Sequence, residues 1–199
     1  MLRALAAGLA IVASPAAGAQ QPAPANGLFL VAKPGLVDPN FSRSVVLVTQ
    51  TEDYRTIGVI INRPTDAPLA IPGVPAPNYR DKVYFGGPVS PNTLVAVLQS
   101  AQAPQAPAFR VLRNLWLTLH KDNVSALLAD PGAKYRLYAG YSGWAPRQLD
   151  SEFQREGWYF LPADEASIFR DDMSTLWDEL VARASGPKAF LSPGLQGLL

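Results

Sequence analysis

The chain has 199 residues, 48% of them hydrophobic and 17% charged, with 17 Lys+Arg against 16 Asp+Glu and no cysteine. At that length one domain can bury roughly 70% of its unfolded surface, so no metal or cross-link is needed to hold a core. The lack of cysteine excludes disulfides, a thiolate nucleophile, a Cys-based zinc site and a lipoprotein anchor, and the balanced charge lacks the basic excess of a nucleic-acid binder.

In chain order, the first nineteen residues, MLRALAAGLAIVASPAAGA, join a basic start at Arg3 to an apolar run and a small-residue ending, the pattern of a secretory signal peptide over 1–19. The apolar run falls short of the ~20 residues a bilayer span needs, and Pro15 interrupts it. Cleavage near Ala19 would remove Arg3 and leave 16 Lys+Arg against 16 Asp+Glu. QQPAPAN (20–26) then reads as a polyproline-like tether, and residues 27–190 as one domain. LFLVA (28–32) is expected to be a strand, followed by a loop broken at Pro34, Gly35 and Pro39. SVVLVTQT and TIGVIIN are β-branched apolar runs joined by the polar EDYR. They predict an antiparallel hairpin, 45–51 with 57–62, buried on both faces.

Prolines at 64, 68, 72, 75 and 77 forbid a helix or a central strand, so that stretch is expected to be an extended loop. VYF (83–85) predicts a strand, Gly86-Gly87-Pro88 a turn, and TLVAVLQS a further strand or a short buried helix. A Pro/Ala loop follows, Arg110 and Arg113 are read in a solvated loop, and LWLTL (115–119) is a strand. Asp122 is the expected N-cap of a helix through 123–128. YRLYAGY predicts a strand, and Pro146 opens a helix with Leu149 and Phe153 on one face and Gly157 at its end. WYFLP (158–162) is a strand, and a helix over 174–184 turns Leu176, Trp177 and Leu180 inward. Strands outnumber helices and hairpins precede them, which predicts an α+β fold with a largely antiparallel sheet.

VYFGGPVS looks at first like a phosphate loop. Pro88 removes a donor where one is needed, no Lys follows, and neither GxGxxG nor GxxxxGK[ST] can be read there. Gly140-Tyr141-Ser142-Gly143-Trp144 resembles the GxSxG elbow, but its second glycine comes one residue early. A serine hydrolase using Ser142 and His120 is one function class; no oxyanion donors or orienting acid can be identified beside them. The alternative is a glycine turn that packs Trp144 on the sheet. On that view Gly143→Val should cost more stability than Ser142→Ala, provided the hydroxyl is not buried and bonded. His120 has no second His or Cys to share a metal, so no metal or cofactor is expected. Asp150, Glu152 and Glu156 read as a charged helix face. In the predicted hairpin Arg43, Asn62 and Arg63 reach the same end of the sheet. There they would either bind a carboxylate or phosphate, or pair with an acid and cap a turn.

Four segments in order, LVAKPGLVDPNFSRSVV, IGVIINRP, VYFGGPV and YAGYSGWAPRQLDSEFQREGWYFLPAD, make the chain similar to the AlgH/YqgE family of bacterial proteins over most of residues 27–184. The resemblance implies a bifurcated sheet with a barrel-like part, flanked by helices. It brings the name of a transcriptional regulator and no established activity. Family members usually start close to the first strand and are cytosolic, whereas this chain carries an apparent export signal. They place a helix where this one has its proline-rich loop. The expected function is a non-catalytic binding or regulatory module with a protein or small anionic partner and no nucleic acid. The alternatives are the Ser142/His120 hydrolase and, if translation starts downstream, a cytosolic regulator.

Overall fold

The computed structural model describes residues 27–66, 69, 79, 81–146, 148–149 and 157–186. The fold is α+β, a curled and largely antiparallel half-barrel sheet flanked by a few helices. The strands are β1 (Leu28–Ala32), β2 (Val45–Gln50), β3 (Thr56–Ile60), β4 (Tyr84–Phe85), β5 (Val89–Gln99), β6 (Phe109–Leu112), β7 (Leu115–Thr118), β8 (Lys134–Trp144) and β9 (Trp158–Pro162). The helices are α1 (Lys121–Ala129), α2 (Glu165–Ile168) and α3 (Leu176–Ser185).

The sheet runs β6-β7-β5-β8-β3-β2-β1-β9, with β4 parallel to β8 off that path. The long strand β8 is where it divides. One edge of β8 pairs with β5, while the other serves β4 at Tyr138–Ala139 and then β3 at Ser142–Trp144. The far end curls back, so that Thr49 Oγ1 on β2 donates to Arg110 O on β6 at 3.4 Å.

Strand alternation and burial on both faces account for the continuous apolar runs. Phe29, Val31, Val45, Leu47, Val59, Val95, Val97 and Tyr138 point into the curl, where Leu176, Trp177 and Leu180 of α3 close it. Their neighbours Leu28, Leu30, Val46, Val48 and Ile60 face outward onto Trp144, Leu149 and Trp158. Ala96, Leu98 and Leu137 are covered by Val124, Leu127 and Leu128 of α1. The two runs expected to form the hairpin do pair antiparallel, with Val46 opposite Ile60 and Val48 opposite Gly58.

Several local expectations are corrected. Arg110 lies in β6, not in a loop: FRVL is short and carries an arginine, yet it finds an edge partner in β7. The cap of α1 is His120, whose Nδ1 accepts from the Asp122 N–H at 3.3 Å, so Asp122 is the second helical residue. GYSGW is not a turn. β8 continues to Trp144 because Ser142, Gly143 and Trp144 pair with Gly58, Ile57 and Thr56, and that register overrides the glycine signal. The four-residue α2 carries no periodicity and had no sequence signature beyond its Asp164 cap. The leader and tether, most of the proline-rich loop, and all but Gln148 and Leu149 of the helix expected after Pro146, including Asp150, Phe153, Glu152 and Glu156, lie outside the described residues.

Candidate functional site

The twelve residues 33–44 between β1 and β2 form an irregular loop built from inside and from below. Asp38 starts it, its Oδ1 accepting from the Asn40 N–H at 2.8 Å and the Phe41 N–H at 3.2 Å, while its carbonyl takes the Ser42 N–H at 2.7 Å. Ser44 Oγ donates to Phe41 O at 2.7 Å. Phe41 turns inward onto the outer aromatic cluster, 5.9 Å from the Trp144 ring and 5.6 Å from Trp158.

Asn62 and Arg63 follow β3 and act on this loop. Asn62 Oδ1 accepts from the Val45 N–H at 2.8 Å and its Nδ2 donates to Arg43 O at 2.9 Å. Arg63 Nη1 donates to Asn40 O at 2.6 Å and Nη2 to Ser42 O at 2.8 Å. Burial lowers the Arg63 pKa, and nearby Asp38 opposes that shift. Arg43 is exposed and holds a left-handed backbone, φ 55°. Its guanidinium stacks 4.1 Å from the Trp177 ring centroid and donates to Asp178 Oδ2 at 3.0 Å. The structure thus brings Arg43, Asn62 and Arg63 together, with Asn62 and Arg63 directed at loop carbonyls and amides. Val37, at the tip, is 90% exposed, while its neighbour Leu36 packs against the outer cluster.

The glycine motifs meet each other. Gly86 and Gly87 lie flat on β8 at Gly140–Ser142: a Cβ on Gly86 would strike Gly140 O, and one on Gly87 would strike Ser142 Oγ and the Tyr141 backbone. Gly140 has φ +71° and leaves 2.5 Å between a would-be Cβ and Gly87 O. Pro88 is exposed at the turn. Gly143 has no left-handed φ, is exposed, and would meet nothing closer than 3.5 Å. The expectation that it is the constrained glycine is therefore wrong. The strain sits at Gly140 and Gly87.

Ser142 has no accessible surface, and its hydroxyl donates to Gly86 O at 3.1 Å. His120 is engaged elsewhere, as the cap of α1, and no hydrogen bond joins it to Ser142. The pair is not assembled as nucleophile and base. Among the described residues no three His, Asp or Glu side chains form a metal-binding group.

The most buried cation among the described residues, Arg136, was not singled out by sequence. Its side chain is 4% exposed and pairs with Asp81 at 3.0 Å, donates to Ile168 O at 2.8 Å and Arg170 O at 3.2 Å, and lies over the Tyr84 ring. Alternation in YRLYAGY was the available signal, since it puts Arg136 on the inner face with Tyr138.

A family model described as AlgH-like matches residues 29–189. A UPF0301 protein of Myxococcus xanthus is 36% identical over 173 residues, covering 83% of this chain and 93% of its own. One of Thermobifida fusca is 36% identical over 180 residues, covering 83% and 90%. The solution structure of the AlgH protein from Pseudomonas aeruginosa is 27% identical with a TM-score of 0.66, covering 90% of this chain and 94% of that one. A crystal structure of a Corynebacterium diphtheriae protein has the same identity and TM-score, with coverage of 85% and 92%. The chain belongs to the AlgH-like family.

Proposed function

We propose that this member of the AlgH-like family is a non-catalytic binding module, with the loop 33–44, framed by Arg43, Asn62 and Arg63, as its contact surface and a protein as its partner. One observation carries the reading. A twelve-residue loop on a rigid sheet is fixed by side chains from β3's end, from α3 and from the Trp144/Trp158 cluster, yet presents Val37 almost wholly to solvent. Exposed loops fixed by a scaffold are where recognition residues concentrate. An ordered loop also loses less entropy on binding. Arg63 and Arg43 already donate to loop carbonyls and to Asp178, which favours a protein contact over a free anion. We place that action outside the cytoplasm. The family match starts at residue 29, and the leader-like residues 1–19 and the tether 20–26 precede it.

A photo-cross-linker in place of Val37, in the full chain expressed in cells, tests the surface. A discrete adduct from position 37 is expected, absent from the exposed α1 position Ala126 and diminished by Arg63→Ala. No adduct, or equal adducts from both positions, would overturn the assignment. N-terminal sequencing tests the compartment: a mature chain beginning near Gln20 is expected, and an intact Met1 in the cytosol refutes it.

A further inference from the structure

Two consecutive residues of α3 hold both ends of the β1–β2 loop. Trp177 Nε1 donates at 2.7 Å to the carbonyl of Ala32, where β1 gives way to the loop. The same indole carries the Arg43 guanidinium at 4.1 Å, and Asp178 takes Arg43 Nη2 at 3.0 Å, one residue before the loop rejoins the sheet through Ser44. Ala32 N–H meanwhile donates to Ser44 O at 2.9 Å, so the neck of the loop is closed at the point α3 grips.

Arg43 makes this grip informative. A non-glycine residue at φ 55° is strained and persists only where its surroundings over-determine it. Here they do so from two sides, Asn62 through the Arg43 carbonyl and α3 through its side chain. Trp177 is buried with Leu176 and Leu180, whereas Asp178, Glu179 and Arg183 face solvent, so α3 offers an open face directly behind its contact with the loop.

We propose that α3 is the regulatory lever of the loop. Its docking through Trp177 and Asp178 holds the binding conformation, and an event that shifts or neutralises that contact releases it. Coupling of this kind is reciprocal: occupation of the loop strengthens the docking of α3 by the same factor. The inference rests on the loop being the binding surface, but its test needs no partner and so fails or succeeds separately from the cross-linking.

The experiment is amide hydrogen exchange on the full chain, reading the bonded loop amides Leu36, Phe41, Ser42 and Ser44 and the α3 amide of Glu179. Asp178→Asn and Trp177→Phe should each speed loop exchange by roughly two- to tenfold, the range for an exposed ion pair and for a lost hydrogen bond. Arg43→Ala should speed exchange in α3 in return. Arg183→Ala, on the last turn of the helix and paired with Asp164 at 3.8 Å, should leave the loop unchanged. Loop exchange at the wild-type rate in both α3 variants would overturn the proposal. Equal acceleration by Arg183→Ala would overturn it too, because general fraying of the helix would then be the cause.

Discussion

The sharpest energetic contrast lies between two glycines that look alike in sequence. A methyl group on Gly86 would overlap Gly140 O and reach 3.0 Å from Tyr138 Cβ and 3.2 Å from Gly140 C. These are backbone atoms or the first atom of a side chain, so no rotamer relieves the clash, and the segment must lift from β8. Lifting stretches Gly86 N–H to Ala139 O and Ile60 N–H to Gly86 O, both 2.9 Å. Overpacking of about 1–3 kcal/mol plus about 1 kcal/mol for each weakened bond puts Gly86→Ala near 3–5 kcal/mol. Gly143→Ala meets nothing closer than Tyr141 Cε2, at 3.5 Å, from an exposed position without left-handed backbone. It should stay within about 0.5 kcal/mol, since restricting the unfolded chain offsets any small loss. Urea denaturation followed by far-UV circular dichroism reads the difference. With a slope of about 2 kcal/mol/M the Gly86 variant should lose roughly 1.5–2.5 M of midpoint and the Gly143 variant almost none. Equal losses would refute the assignment of the close approach to the Gly86–Gly140 seam.

Ser142→Ala should cost about 1 kcal/mol in the same assay, because Gly86 O keeps its bond from Ile60, and a serine-reactive probe should label the wild type no more than the variant. Arg136→Ala should cost about 3 kcal/mol or more, as it strips a buried charge from Asp81 and from two carbonyls; a loss under 1 kcal/mol in thermal melts would show that this network is dispensable. The Tyr138 hydroxyl is buried without a hydrogen-bond partner, and burial raises its pKa, so Tyr138→Phe should be neutral or stabilising to within about 0.5 kcal/mol; a clear destabilisation would reveal a bonded group. Hydrogen bonds from Arg170 and Thr175 hold the Glu179 carboxyl below its ordinary value of 4.5. The folded pKa is the lower one, so its contribution is complete above about pH 4.5 and lost as pH falls through the folded value. Melting temperatures from pH 7 to 3 should therefore fall less steeply in Glu179→Gln than in the wild type.

What the sequence made legible was whatever the burial pattern writes into it. β1, β2, β3 and β9 are apolar on both faces, so their runs stand out, and the short polar EDYR between two of them marks a hairpin. That hairpin alone brings Arg43, Asn62 and Arg63 to one end of the sheet. It does not tell where their side chains point, because the path of an irregular loop is set by bonds such as Arg63 to Asn40 O and Ser42 O, which leave no period. Arg136 was hidden for a related reason: its carboxylate, Asp81, lies 55 residues earlier, with four strands and a helix between them. The glycines misled in a specific way. Gly140 and Gly143 are both permissive in isolation, and only the packing of Gly87 against β8 decides which of them is constrained.

The same ion pairs bear on the kind of partner. A nucleic acid is bound largely by cations that replace its counterions, which requires a surface where positive charge is not already neutralised. Here Arg43 pairs with Asp178, Arg55 with Asp53, Lys82 with Asp66, Arg170 with Glu179 and Arg183 with Asp164. Arg110 is folded back on Arg113 O and over the Trp116 ring. Phosphates would have to displace a carboxylate at each of those five pairs, losing much of the electrostatic gain. An apolar side chain raised on a fixed loop meets no such competition. Val37 would gain by entering a pocket on another protein, and its contribution should scale with the area it buries and not with salt. Weak dependence of complex formation on ionic strength is thus the signature that separates a protein partner at this loop from a polyanion.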